Sequence, residues 1–508
     1  MISLAIRSIR GAVARFSPNP HSYSVLTNAN SEPSSPGGSN TSPAQSKSFL
    51  ARLTALLFFL LPSFVQRRLR PSDFKHRRLY PTSWLDGLRG VASLIVFFCH
   101  FTEKHVGWYA QTYGIREDDD PVASSPLQLP FIRVIYCGRP MVHIFFVISG
   151  FVLSLKSLKQ ARKHDYDGLH RTLSSSTFRR GFRLFLPTTA STFIIMILIR
   201  LGYTGNALPT LWEQLVNWKN AVWDITFSWR WDITQLLPYD VHLWTIPIEF
   251  SNSLLLFVVL TGLSRMKTYL RLASVLAIMI YSLKCGHWAA FEFIGGMGLA
   301  EIGLIQDARN ERAAADTQNK EASDMEASVT SRVASKSMGT LAFKAFLLGN
   351  LVFALFVAGW PNHHADVSPG FSRLWHNTME PFFTMGGDLV SFPWYALGAI
   401  QIVFALQQIK TLQNLFVTPL AQYLADISFA LYLVHGPVLD VFSHRWMPVV
   451  WTLVGGNGSM LGRLFAWLIG IFALGIPTII FSDIFWRAID VKSVELARWI
   501  EGLCTRDD

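Results

Sequence analysis

From residue 80 onward the chain alternates long apolar runs with shorter polar ones. Ten runs, at about 84–101, 141–157, 182–200, 243–263, 268–283, 287–305, 341–359, 389–407, 423–442 and 464–486, approach the ~20 residues that a helix needs to cross a hydrocarbon core. The pattern predicts an all-α fold: a polytopic transmembrane helix bundle of about ten spans. An earlier apolar run, 49–65, is short for a span and is expected to lie at the membrane interface. The divisions that follow are a tail over 1–48, an interfacial segment and basic linker over 49–79, a transmembrane domain over 80–487 and a C-terminal tail over 488–508. Within the first tail, 30–48 is rich in Ser, Pro, Gly and Asn and cannot bury a core, so disorder is expected. The loop 306–340 is charged and poor in aromatics, the composition of a flexible spacer.

Composition agrees with a bilayer setting. Only 16% of residues are charged and 50% are hydrophobic, against roughly 25% charged in soluble domains. The formal charge of +11 is confined largely to one set of loops. With the N-terminus placed in the cytoplasm, inner loops hold roughly 28 Lys and Arg and outer loops roughly 11, so both termini are expected to be cytoplasmic. The expected setting is the endoplasmic reticulum or another endomembrane. No helix carries a continuous basic face, which argues against nucleic acid as a partner. Cys99, Cys137, Cys285 and Cys504 form no CxxC pair, so neither a zinc site nor a redox motif is supported and no metal is expected.

Polar groups inside spans are costly and ordinarily face a partner or a cavity. One cluster runs from Leu85-Asp86-Gly87-Leu88-Arg89-Gly90 to His100. Arg89 and His100 are eleven residues apart, about 16 Å along a helix and within about 20° of one direction, so both project from one face. A second holds Ser149-Gly150 in a bulky run, a pair suited to close helix approach. A third places Arg180 and Arg183 on one face at the start of a span, where guanidinium groups suit phosphate as well as membrane anchoring. In the fourth, Glu249 lies within an apolar run and needs a partner, for which His100 and the arginines are candidates. Ser428, Tyr432 and His435 share another helix face and read chiefly as structural hydrogen bonding. The tryptophans 212, 218, 223, 229 and 231 suit interface anchoring, or stacking on an acceptor.

Taken in order, these clusters resemble the acyltransferase-3 family of membrane O-acyltransferases from about residue 80 to 487, with features of fungal members. The carrying motifs are Leu85 to Ala92 with Arg89 and His100, Phe145 to Phe151, Arg180-Arg183-Pro187, Trp244 to Glu249, and Ser428-Tyr432-His435. The resemblance implies transfer of an acyl group, acetyl above all, from cytosolic acyl-CoA to a hydroxyl of a small molecule such as a secondary metabolite. Acyl-CoA is then a co-substrate, and no permanently bound cofactor is expected. His100 would be the general base, or would itself carry the acyl group; Glu249 would orient or assist it, and Arg89, Arg180 and Arg183 would hold the donor's phosphates or stabilise developing oxyanion charge. A cell-wall carbohydrate acceptor and a non-enzymatic transporter are the competing readings. No G-x-S-x-G is present to support a serine nucleophile.

Overall fold

The structure, a computed structural model, describes residues 49–73, 78–115, 122, 124–229, 237–321 and 330–505. The tail expected over 1–48 lies outside them, as do residues 322–329 of the expected spacer. Contacts divide the chain into two units, one ending at Tyr80 and the other beginning at Pro81.

In the first unit the short apolar run forms two helices, α1 (Phe49–Leu60) and α2 (Ser63–Leu69), broken before Pro62, whose ring cannot continue a helix. The Gln66 amide donates to the carbonyls of Phe58, Phe59 and Leu61 at and just past the end of α1. Neither helix is long enough to span a bilayer.

The second unit is helical throughout its long elements. They are α3 (Ser83–His105), α4 (Arg139–Arg162), α5 (Tyr166–Arg200), α6 (Leu211–Thr226), α7 (Thr245–Leu263), α8 (Thr268–Lys284), α9 (Trp288–Glu321), α10 (Thr330–Ala358), α11 (Phe392–Gln408), α12 (Pro419–Leu453), α13 (Met460–Phe485) and α14 (Val491–Cys504). Among the described residues, nine stretches are long and apolar enough to cross a membrane. The tenth expected span is α8, whose 17 residues sit at the short end of what crosses a hydrocarbon core. Several helices outrun their apolar runs: α5 begins at Tyr166, well before the apolar start at 182, and α9 carries the charged segment on to Glu321. The C-terminal segment is also helical, and Arg179 of α5 pairs with Glu501 of α14 at 3.2 Å.

Between helices in lipid there is little hydrophobic driving force, so close packing and polar pairs must hold the bundle. Both are visible. A Cβ on Gly87 would lie 1.7 Å from the Phe416 carbonyl oxygen, and one on Gly90 would lie 2.4 Å from the Ala425 nitrogen. These two glycines let α3 lie directly on the backbone of α12 and of the chain just before it. The α4–α9 crossing is built from both sides: a Cβ on Gly150 would meet the Phe293 oxygen at 2.1 Å, and one on Gly296 the Val147 oxygen at 2.2 Å. At one end of the bundle Glu301 of α9 receives both Arg162 (3.0 Å) and Arg271 (2.8 Å). Asp483 of α13 receives Arg487 (2.6 Å) and the Tyr423 hydroxyl (3.0 Å). Toward the other end, Phe97, Phe101, Leu439, Met447, Trp467 and Leu474 close an apolar core between α3, α12 and α13.

Candidate functional site

Three neighbouring segments each carry a polar residue at one level and a histidine at another. On α3 these are Arg89 and His100. On the Val241–Leu263 stretch they are Glu249 and His242, and on α12 they are Ser428 and His435. Separations of seven and eleven residues along a helix put the levels about 10–16 Å apart.

The first level is an arginine cluster. Arg89 Nε donates to Ser428 Oγ at 3.0 Å and its Nη2 to the Ala425 carbonyl at 3.2 Å. Arg180 Nη2 donates to Glu249 Oε1 at 2.7 Å and its Nε to Ser253 Oγ at 2.9 Å. Ser149 Oγ donates to the same Glu249 oxygen at 3.1 Å. Thus in the pair Ser149-Gly150 the glycine does the packing and the serine binds the carboxylate. Arg183, one turn along α5 from Arg180, shares the electrostatic surroundings of Arg180, Asp490, Arg89 and Glu249. Its guanidinium makes no hydrogen bond to another described residue and is half-buried. A cationic group held this way is available to an anion.

The second level is a group of three imidazoles. The His100 ring centroid lies 4.1 Å from that of His242 and 5.3 Å from that of His435, and His242 and His435 are 4.6 Å apart. One ring nitrogen from each lies within 4.8 Å of the others. Each ring is held from behind through Nδ1: His100 by Glu103 at 3.3 Å, His242 by Asp240 at 2.6 Å, and His435 by the Leu431 carbonyl at 3.1 Å. Glu103 is fixed in turn by Asn362 Nδ2, 2.5 Å from its other oxygen. Behind Glu103 opens a cavity lined by Cys99, Arg133, Cys137, Arg139 and Tyr395 among others. Gly436 is required here, since a Cβ would lie 2.8 Å from His242 Nδ1. Between the levels, the Tyr432 hydroxyl donates to the His242 carbonyl and lies 2.7 Å from Thr245 Oγ1.

The structure brings Arg89, Arg180, Arg183 and Glu249 together and aligns His100 with Arg89 toward the same partner helix. It does not bring Glu249 to His100. Glu249 is taken by Arg180 and Ser149, and the carboxylate beside His100 is Glu103, one turn further along α3. That neighbour was legible as an i, i+3 pair on a helix, whereas Asn362 comes from a distant loop and left no local signal. Asp240 and His242, two residues apart, stand just before the Trp244 to Glu249 motif and were missed because they lie where the apolar run begins. Of the tryptophans, Trp212, Trp223 and Trp229 are exposed, Trp218 Nε1 bonds Thr192 Oγ1 at 3.1 Å, and Trp231 lies outside the described residues.

A many-span helical bundle with a buried imidazole group at one level and a guanidinium group at another defines a membrane-embedded site for polar chemistry. The acyltransferase-3 model, an acyltransferase domain, matches residues 82–487, and the chain belongs to this family of acyltransferases. It is 34% identical over 463 residues to O-acetyltransferase PaAT-1 of Phomopsis amygdali, covering 85% of this chain and 87% of the relative. It is 27% identical to acyltransferase R4 of Phoma sp. (strain ATCC 20986 / MF5453), over 72% and 85% of the two chains. With acyltransferase clz18 of Cochliobolus lunatus the identity is 26%, over 74% and 86%. No solved structure matches.

Proposed function

We propose that this acyltransferase moves an acetyl group from acetyl-CoA to a hydroxyl of a small molecule of the secondary-metabolite class. The observation that carries the reading is the two-level site, with guanidinium groups at one end and imidazoles at the other along one seam of α3. A CoA thioester is a long donor with phosphates at one end and its reactive carbonyl at the other, and it suits such a seam. That the Phomopsis relative is an O-acetyltransferase supports acetyl as the acyl group and a hydroxyl as its destination.

In this mechanism Arg183, with Arg89 and Arg180 beside it, receives the donor's phosphates. Glu249 holds Arg180 in place and takes no proton. His100 accepts the hydroxyl proton as the oxygen attacks the thioester carbon, and Glu103 faces the imidazolium that forms. The distribution of Lys and Arg supports cytoplasmic termini, with the arginine level toward the cytosolic pool of donor.

Membranes containing the full chain, given acetyl-labelled acetyl-CoA and an extract of the producing cells, should transfer label to an extractable ester. His100→Ala should lower that transfer by about 10²–10⁴-fold while the protein still inserts and elutes as the parent does. Undiminished transfer by the variant removes His100 from the chemistry, and no transfer by the parent removes acetyl-CoA as donor.

A further inference from the structure

The imidazole group holds more than a general base requires. His435 is 1% exposed and its Nε2 has no hydrogen-bond partner. Its Nδ1 faces a carbonyl, which only accepts, so the hydrogen sits on Nδ1 and Nε2 presents a bare lone pair. Carboxylates face Nδ1 of His100 and of His242 in the same way, placing a hydrogen on each Nδ1 and leaving each Nε2 outside that contact. The buried Nε2 of His435, with two half-buried imidazoles facing it, needs a group with a hydrogen to offer.

Spacing distinguishes the candidates. Zinc held at about 2.0–2.1 Å by three imidazoles sets their nitrogens about 3.4 Å apart. An oxygen at hydrogen-bond distance, about 2.9 Å, sets tetrahedral partners about 4.7 Å apart. The ring nitrogens here lie within 4.8 Å of one another, a span that admits an oxygen at hydrogen-bond distance. We propose that the acceptor's hydroxyl is seated among His100, His242 and His435, with His242 and His435 as substrate-binding residues and Asp240 as the residue that positions His242.

This inference rests on the acyl-transfer reading and adds where the acceptor binds. An alcohol has one hydrogen to give and lone pairs to receive. It receives a hydrogen from the ring that carries hydrogens on both nitrogens, and it shares its own between the Nε2 lone pairs of His435 and His100, to which it passes as the reaction begins. His242 is that ring, because the Asp240 carboxylate at 2.6 Å balances the added charge. The hydroxyl O–H bond then breaks with its proton passing to His100. The oxygen's electron pair forms the new bond to the acyl carbon, and the carbon–sulfur bond breaks. The proton returns from His100 to the departing sulfur, so that ester and free thiol are the products.

The test uses the full chain in lipid nanodiscs with acetyl-labelled acetyl-CoA and the same cell extract, varying acetyl-CoA. Variants His242→Gln, His435→Gln and Asp240→Asn are compared with Arg183→Ala. The expected result is a fall in maximal transfer of about 10²-fold or more for the two histidine variants and about tenfold for Asp240→Asn. The KM for acetyl-CoA should stay within about twofold, and Asp240→Glu should regain part of the loss. Arg183→Ala should do the reverse, raising that KM. Parental rates in His242→Gln or His435→Gln overturn the inference and leave the donor reading standing. Loss in Asp240→Asn through a raised acetyl-CoA KM also overturns it, since a donor role is not an acceptor seat. So does one equivalent of zinc in the purified parent that His242→Gln abolishes, by elemental analysis, because the occupant is then a metal. If the parent transfers no label, both readings fall together.

Discussion

Arg180 and Arg183 lie three residues apart on one helix, yet the fold gives them different work. Arg180 is 7% exposed and bonded to Glu249 and Ser253, so its removal strands a partly buried carboxylate. Arg183 makes no direct ion pair among the described residues, and the carboxylate it influences, Asp490, keeps Arg89 in its surroundings. Arg183→Ala should therefore raise the KM for acyl-CoA about tenfold or more with little change in thermal stability. Arg180→Ala should raise that KM and also lower stability, by about 3 kcal/mol if the pair behaves as buried ion pairs do. Thermal unfolding in detergent beside initial rates separates the two. The cysteines differ in the same residue-scale way. Cys137 is buried, and burial pushes its thiol up to about 12, so it has almost no thiolate to react. Cys285 and Cys504 are exposed. A water-soluble maleimide should label these two in the folded protein and reach Cys137 only after denaturation, as peptide mapping would show.

At the scale of elements, the arginine level depends on helices that touch backbone to backbone. The α4–α9 crossing relies on Gly150 and Gly296, each with a facing backbone atom inside the space a methyl would need. Gly150→Ala must push the helices apart, at a cost of about 1–3 kcal/mol. It should also weaken activity, because Ser149, the next residue, would carry its hydroxyl away from Glu249. A lower melting temperature together with reduced transfer is the expected outcome. Unchanged values for both would mean that the crossing relaxes freely. The sequence showed Ser149-Gly150 as a small pair in a bulky run, but not that its two members face different partners. That division depends on α4 lying between α9 on one side and α7 on the other.

For the whole molecule, the bundle is closed by ion pairs that bridge distant parts of the chain. Glu301 is 1% exposed and joins Arg162 of α4 to Arg271 of α8. Glu301→Ala should leave Arg271, itself buried, without its anion and cost about 3–5 kcal/mol, seen as a lowered unfolding temperature. Topology is testable at the same scale. With cytoplasmic termini, Cys504 and Cys285 lie on opposite faces of the membrane. Sealed vesicles treated with an impermeant maleimide should label one before lysis and the other only after it. Labelling of both before lysis contradicts the proposed arrangement.

The order of apolar runs was enough to determine an all-helical, many-span bundle, because a lipid core admits few other ways to satisfy backbone hydrogen bonds. The motifs placed Arg89 and His100 on one face, because eleven residues come close to three whole turns of a helix. That Glu249 does not reach His100 was decided only in three dimensions: Glu249 is drawn to Arg180 on a neighbouring helix, while Glu103, an i, i+3 neighbour on α3, faces His100. The meeting of His242 and His435 with His100 was likewise out of reach, since they lie 142 and 335 positions beyond it in the chain. Periodicity reports which way a side chain points from its own helix. Only the packing of α3, α7 and α12 against one another decides what it meets.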